Sequence, residues 1–454
     1  MNLSSQAQTW NGTVSNVWTN PLNWTPNTVP GVGSSVSIGV APNAPKLQAN
    51  TSIGLINTSG GSLDFNGFTL TVGGVLGYSA FNNTILNNSS TSNDIIINLN
   101  NGSSGYNSQI NGCTINDKIT INLTGTDVFY EGGTANTFND DISFNINGGG
   151  VVYTSYNAIS QFNGNFNFNR TVAGTSYIFN VGANITGNVN IQNAVGGITD
   201  IGHSSNFAII NGTINMNVSN PSPSGFSFER VKNLTPGGTI NIQNTVGFTI
   251  QYDSLKINSF TVQGYEGNSY AYFYFNKIDG NLIMEDDINF NTGYHTEVRN
   301  NTITGNTSYT IKGTNQFNEA NSGALSSNTY NGGTTFNINS SASVYISNNS
   351  KSIFNGNLSI YRTVAGYNRF FNAGATIIGN LIYNNTASGD NDLGNLSNLT
   401  SISGTVNMNI NLSPIGRFEM YRLVNQTPGG KINVHNSRGF DVRNDSLKVD
   451  SLNI

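Results

Sequence analysis

Apolar and polar residues alternate in short runs that recur along the chain, as in Gly164-Asn-Phe-Asn-Phe, Gly187-Asn-Val-Asn-Ile, Gly212-Thr-Ile-Asn-Met and Gly238-Thr-Ile-Asn-Ile. A period of two places one set of side chains inward and the other in solvent, which predicts half-buried β-strands. Each run opens on a turn residue. The series continues backward through Asp140, Asp117, Asn93 and Gly67, and forward through Asn258, Gly280, Gly305, Gly332, Gly356, Gly379, Gly404, Gly430 and Asp450, in steps of 20 to 27 residues. A second strand follows in each coil (177–181, 226–228), and a third precedes the next turn (207–210). No apolar 3.6-residue period of useful length occurs, which excludes helical repeats, and the Leu pattern of leucine-rich repeats is missing. The expectation is an all-β fold: a single-stranded right-handed parallel β-helix, or solenoid, with coils of about 24 residues. The hand follows the general rule for crossovers between parallel strands.

A longer period encloses the short one. Residues 162–181 read FNGNFNFNRTVAGTSYIFNV and residues 354–373 read FNGNLSIYRTVAGYNRFFNA, an offset of 192 that eight coils fill. The same offset links Thr235-Pro-Gly-Gly to Thr427-Pro-Gly-Gly, and Asp253-Ser-Leu-Lys to Asp445-Ser-Leu-Lys. Upstream it falls to 188, so the second copy carries a short insertion near 322–327. The expected organisation is a cap with first coils over 1–66, one super-repeat over 67–257 and a second over 258–449. Residues 450–454 match the start of a third, which predicts an array of 192-residue units.

Composition sharpens this picture. Only 9% of the 454 residues are charged and the formal net charge is −5, far below the roughly 25% charge of an ordinary domain. Scattered Lys and Arg form no basic stripe, which argues against nucleic acid. Asn, at about 80 residues, suits left-handed corners and amide ladders between coils. Cys113 stands alone, so it reads as a small buried filler. No run of 18 apolar residues predicts a membrane-spanning helix.

All three Trp residues fall early, in Trp10-Asn11-Gly12, Trp18 and Asn23-Trp24, followed by Pro30 and Val36-Ser37-Ile38. This string resembles the opening of large secreted surface proteins of Bacteroidota that leave by the type 9 secretion system, and of autotransporter-like adhesins. The resemblance implies an aromatic cap on a β-helical passenger and an extracellular, cell-surface location. It also implies a role as an adhesin shaft or filament subunit. The partners expected of such a shaft are other surface proteins or a glycan or protein on a target, and the Asn-rich, weakly charged sides suit lateral packing with other copies of the chain. The sorting domain expected of a type 9 substrate is not seen.

Some β-helices are polysaccharide lyases or glycosidases, which need facing carboxylates or a basic residue beside acidic calcium ligands. Asp140-Asp141 and Glu285-Asp286-Asp287 are the acidic clusters, both expected at turns, and His203, His295 and His435 have no metal-ligand spacing. No nucleophile elbow or phosphate loop occurs, so no enzyme activity, metal or cofactor is expected, and a carbohydrate-active enzyme is the alternative. Ice binding would need a regular Thr rank, and Thr is scattered. Rare charges present in both copies are the better site candidates: Arg170 and Arg362, and Glu229-Arg230 with Glu419 and Arg422. Either Arg and Glu pair between adjacent coils or close a protruding loop, or they line a lateral contact with another chain. Tyr270, Tyr272 and Tyr274 form the densest aromatic run, either core or an exposed strip for carbohydrate or protein. Ser254 and Ser446, in Asp-Ser-Leu, resemble an O-glycosylation acceptor of exported Bacteroidota proteins; the other reading is an Asx turn.

Overall fold

The computed structural model describes residues 7–73, 77–100, 107–193, 195–202, 206–219, 225–265, 270–287, 295–321, 326–395, 397–412 and 416–454. The chain divides into two compact units. One is Met1–Asn220 with Arg230–Pro236, and the other is Pro221–Glu229 with Gly237–Ile454. Both are β-solenoids.

In the first unit, Ile142, Phe166, Val189 and Ile214 stand in parallel register, 24, 23 and 25 residues apart. One coil uses the strands Phe166–Arg170, Ser176–Ile178 and Ala183–Ile185. The first and third of these belong to one sheet and the middle strand to another, here called the single-strand sheet because each coil gives it one strand. Alternation does what the pattern requires. Phe166 and Phe168 are buried while Asn167 and Asn169 face outward. Burying each such apolar side chain contributes about 1.5–3 kcal/mol, and the stack repeats it coil after coil.

At the first coil Trp10, Trp18 and Trp24 are at most 3% exposed. Trp24 lies edge-on to both others, with ring centroids 4.9 and 4.8 Å away. Trp24 Nε1 donates to Trp18 O at 2.8 Å, so its one polar group is satisfied. Here Ala7–Trp10 pairs antiparallel with Trp24–Thr25 and parallel with Ser35–Gly39. The early tryptophans thus form one buried cluster where the pairing departs from the plain parallel stack.

In the second unit Thr307, Thr334, Leu358, Leu381 and Val406 are in register, in steps of 27, 24, 23 and 25. The longest step contains the expected insertion, of which 322–325 lie outside the described residues. Lys431 pairs with Ser451 as Thr239 pairs with Ser259, 192 residues earlier.

Corners and ladders are built from backbone demands. After most strands of the single-strand sheet the chain turns through a left-handed residue. Asn83, Ser155 and Phe179 do so in the first unit, and Tyr252, Phe275, Asn300, Ala320, Ser347, Phe371 and Arg422 in the second, with φ between 49° and 63°. Asn favours this geometry, but the topology imposes it on Phe and Tyr as well, against a cost of about 1–2 kcal/mol each. Glycines at the repeated turn serve another purpose. A Cβ on Gly187 would stand 2.6 Å from the Gly164 carbonyl carbon, so close approach of stacked coils, rather than φ, selects glycine there. The Asn that follows bridges coils: Asn188 N donates to Asn165 Oδ1 at 2.8 Å, and Asn380 N to Asn357 Oδ1 at 2.9 Å. Outward asparagines also stack amide on amide, as Asn145 Nδ2 on Asn122 Oδ1 at 2.9 Å and Asn122 Nδ2 on Asn98 Oδ1 at 2.8 Å. The amide ladders expected from composition are present.

Candidate functional site

The repeated Arg-Thr-Val-Ala-Gly segments place their arginines inside. Arg170 and Arg362 end strands on the inward face and are each 1% exposed. Arg170 donates to the carbonyls of Gly150 (2.7 Å), Thr175 (3.1 Å) and Val172 (3.2 Å). Arg362 donates to those of Val364 (2.7 Å), Ala342 (3.1 Å) and Ser340 (3.2 Å), and to Asn368 Oδ1 (2.5 Å). The Thr-Val-Ala-Gly turn wraps the guanidinium. Its last residue is glycine because a Cβ on Gly174 or Gly366 would overlap the arginine. Burial pulls both guanidinium pKa values down to about 10, so they stay charged at neutral pH. A side chain so buried has nothing to offer another chain. The lateral-contact expectation is corrected for these two: they close a loop from within.

A second interior group escaped the sequence reading. Glu131 and Glu319 are fully buried. Glu131 Oε1 accepts from Asn136 Nδ2 (2.7 Å) and Ser160 Oγ (2.5 Å), and Oε2 from Ser155 N (2.5 Å). Glu319 repeats the set with Asn328 Nδ2 (2.5 Å), Ser352 Oγ (2.6 Å) and Ser347 N (2.7 Å), and adds Tyr330 Oη at 3.3 Å. Ser155 and Ser347 are left-handed corner residues. Each carboxylate therefore clamps the corner of one coil to the strand of another. Loss of solvation dominates over the donors and pushes both pKa values up.

The outward face of the single-strand sheet differs between the units. In the first, Tyr130, Tyr153, Tyr177 and Asp200 are in register. Tyr153 lies 5.2 Å from Tyr130 and 4.6 Å from Tyr177, both at 11°. In the second, the corresponding rank is Tyr345, Arg369, Asp392, Glu419 and Asp441. Tyr367 Oη donates to Asp392 Oδ2 at 2.7 Å, Arg417 Nε lies 2.9 Å from Glu419 Oε1, and Arg443 Nη2 lies 2.7 Å from Asp441 Oδ2. Arg369, Asn372, Asp392, Asn395, Glu419 and Tyr421 line a recess of about 340 Å³ on this face.

The remaining candidates scatter. Ala271 and Phe273 fill the core; Tyr270 is exposed and Tyr272 half-buried, so the strip reading fits these two, whereas Tyr274 is only 7% exposed and follows the core reading. Tyr270 and Tyr272 stack at 5.3 Å, Arg299 covers the Tyr274 ring at 3.9 Å, and Tyr274 Oη donates to Glu297 Oε2 at 2.5 Å. Burial alone would raise the Glu297 pKa, but His295, Tyr274 and Arg299 together hold it below the ordinary value. Glu229 is half-buried and accepts from Ser227 Oγ at 3.0 Å, while Arg230 and Arg422 occupy left-handed positions with φ of 54° and 56°. Asp140 and Asp141 sit at a turn as expected, where Asp141 Oδ1 accepts from Asn165 N at 2.6 Å. Glu285 and Asp286 instead end the strand Lys277–Asp286, a correction to the expected turn. Glu285 pairs with Lys312, and Asp286 accepts from Thr296 Oγ1 at 2.7 Å. Ser254 is half-buried in a strand and Ser446 is exposed. His435 is exposed, and His203 lies outside the described residues. Cys113 is buried, and burial raises its thiol pKa to about 11.

Among the described residues no group of His, Cys, Asp and Glu could hold a metal, and no helix is long and apolar enough to cross a membrane. Compared with family models, curated proteins and solved structures, the chain matches none of them.

Proposed function

We propose that the chain is an extracellular structural and adhesive solenoid, a shaft or filament subunit of a cell surface that mediates attachment without catalysing a reaction. One observation carries this reading: the two copies share their interior devices, the arginine loop and the glutamate clamp, while their outward ranks differ in chemistry. A repeated frame with divergent faces suits a scaffold that holds surfaces at set distances. Stacked coils supply stiffness through main-chain ladders and Asn bridges, and the faces supply contacts to a glycan or protein on a target or to further copies. Exposed Ser446 suits modification by a glycan, which would shield the shaft from proteases.

The test is attachment. Beads coated with the protein are expected to adhere to cells or to a glycan-bearing surface under flow, and uncoated beads to detach. No adhesion to any such surface would overturn the proposal. So would release of reducing ends from a polysaccharide panel that a single acidic substitution abolishes.

A further inference from the structure

We infer that the recess on the single-strand sheet of the second unit is a binding site for a neutral, polyhydroxylated ring, a hexose or N-acetylhexosamine unit of a glycan. The inference rests on the adhesive reading and deepens it.

Three observations converge. The volume, about 340 Å³, falls at the lower end of small-molecule sites, which begin near roughly 300 Å³. The walls mix acceptors with donors. Asp392 and Glu419 are shielded, with side chains only 14% and 15% exposed, whereas Arg369 is 42% exposed. Asp392 Oδ2 is engaged by Tyr367 and Arg369, but Asp392 Oδ1 is buried and has no hydrogen-bond partner. A buried carboxylate oxygen left without a donor is costly, and because Asp392 lines the recess, a modest turn of its side chain would present that oxygen to a ligand hydroxyl. The arginine can donate to a ring or hydroxyl oxygen of the same ligand.

Charge selects the class. The lining itself carries Arg369 against Asp392 and Glu419, but beside it Arg417 pairs with Glu419 and Arg443 with Asp441, so this stretch of the face as a whole has no net charge to attract an anionic or cationic polymer. A polyol matches it, because each hydroxyl both donates and accepts. An added peptide strand does not, since the backbone groups here are spent on the ladders from Asn368–Phe370 through Asn391–Gly394 to Arg417–Tyr421. At the offset of 192 the first copy has Tyr177 for Arg369 and Ser227 for Glu419, so this constellation belongs to the second copy alone.

The experiment applies the full chain to printed neutral hexose and N-acetylhexosamine oligosaccharides, uronic-acid oligosaccharides and glucosamine oligosaccharides. The neutral set is expected to bind and the two charged sets to stay blank. Asp392→Ala should weaken binding at least tenfold and Asp392→Asn several-fold, with unchanged circular dichroism, while Asp200→Ala on the first copy should leave it intact. Binding confined to a charged set, no binding to any neutral probe, or full binding by Asp392→Ala would each overturn the inference. Beads carrying Asp392→Ala separate the two levels. Adhesion retained by that variant alongside undiminished or absent glycan binding sinks the recess and spares the adhesive reading. Failure of the wild-type beads sinks the adhesive reading itself.

Discussion

Glu131 and Glu319 hold equivalent partners in equivalent geometry, yet Tyr177 and Arg369, also equivalent in the repeat, share nothing chemically. The contrast separates two kinds of constraint. Inside a coil, every polar group must find a partner among neighbours only one rung away, so a working arrangement tolerates little change. Outside, water satisfies whatever the strand presents, and a rank can turn from stacked tyrosines to ion pairs without altering the coil. The corner residues fall between these cases: φ is dictated but the side chain is not, which is why Phe179 and Phe371 stand where Asn would be easier.

Removing the clamp should give the largest effect. Glu131→Ala strands three buried donors and Glu319→Ala four, and each should destabilise its own unit by about 3 kcal/mol or more. Hydrogen exchange at the Ser155 and Ser347 amides would report the loss locally. A large loss in one unit and none in the other would break the claim that the interiors are equivalent. Next, Gly174→Ala and Gly366→Ala should displace the arginine from its carbonyls and cost about 2 kcal/mol, read by denaturant unfolding, with equal effects in the two copies.

The outward ranks should respond less and unequally. Tyr153→Ala removes stacking on two sides and should cost roughly 1–2 kcal/mol, whereas Glu419→Gln, at a half-exposed ion pair, should cost under about 1 kcal/mol. Equal losses would mean that the faces bear structure rather than contacts. The smallest signal is in pH. Folded pKa values of Glu131 and Glu319 are raised above the ordinary unfolded value, about 4.3, so the protonated form favours folding. Their contribution is complete below the unfolded pKa and is lost as pH rises through the folded one. Thermal unfolding of the double Glu→Gln variant should therefore vary less over that window than the parent.

Much of this architecture was legible in the sequence because a solenoid repeats its demands. Strand alternation, coil length, the 192-residue period and the Asn ladders all follow from patterns that recur many times. The interior polar devices were harder to see. Arg170 was singled out as a rare charge, but direction depends on which parity of its strand faces inward, and Phe166 and Phe168 set that parity. Glu131 and Glu319 are offset by 188 rather than 192, on the far side of the insertion, which hid their equivalence. Tyr130, Tyr153 and Tyr177 did leave a usable signal, one tyrosine per coil at steps of 23 and 24. The recess left none, since Arg369, Asp392 and Glu419 meet only after three coils stack.

The amide ladders bear on how the protein ages. Asn163 and Asn355 each precede a glycine, the context in which an unrestrained asparagine most readily loses ammonia and becomes an acid. In the coil, Asn163 Nδ2 is held on Asn139 Oδ1 at 3.0 Å and Asn355 Nδ2 on Asn331 Oδ1 at 2.6 Å, so each amide is fixed by the rung beneath it. A coil that opens releases that hold. Every deamidation then leaves a permanent negative charge in a column built for neutral amides, where a second such event one rung away would set like charges face to face. Prolonged storage near the unfolding temperature should thus record, as acidic mass variants at these corners, which coils had opened.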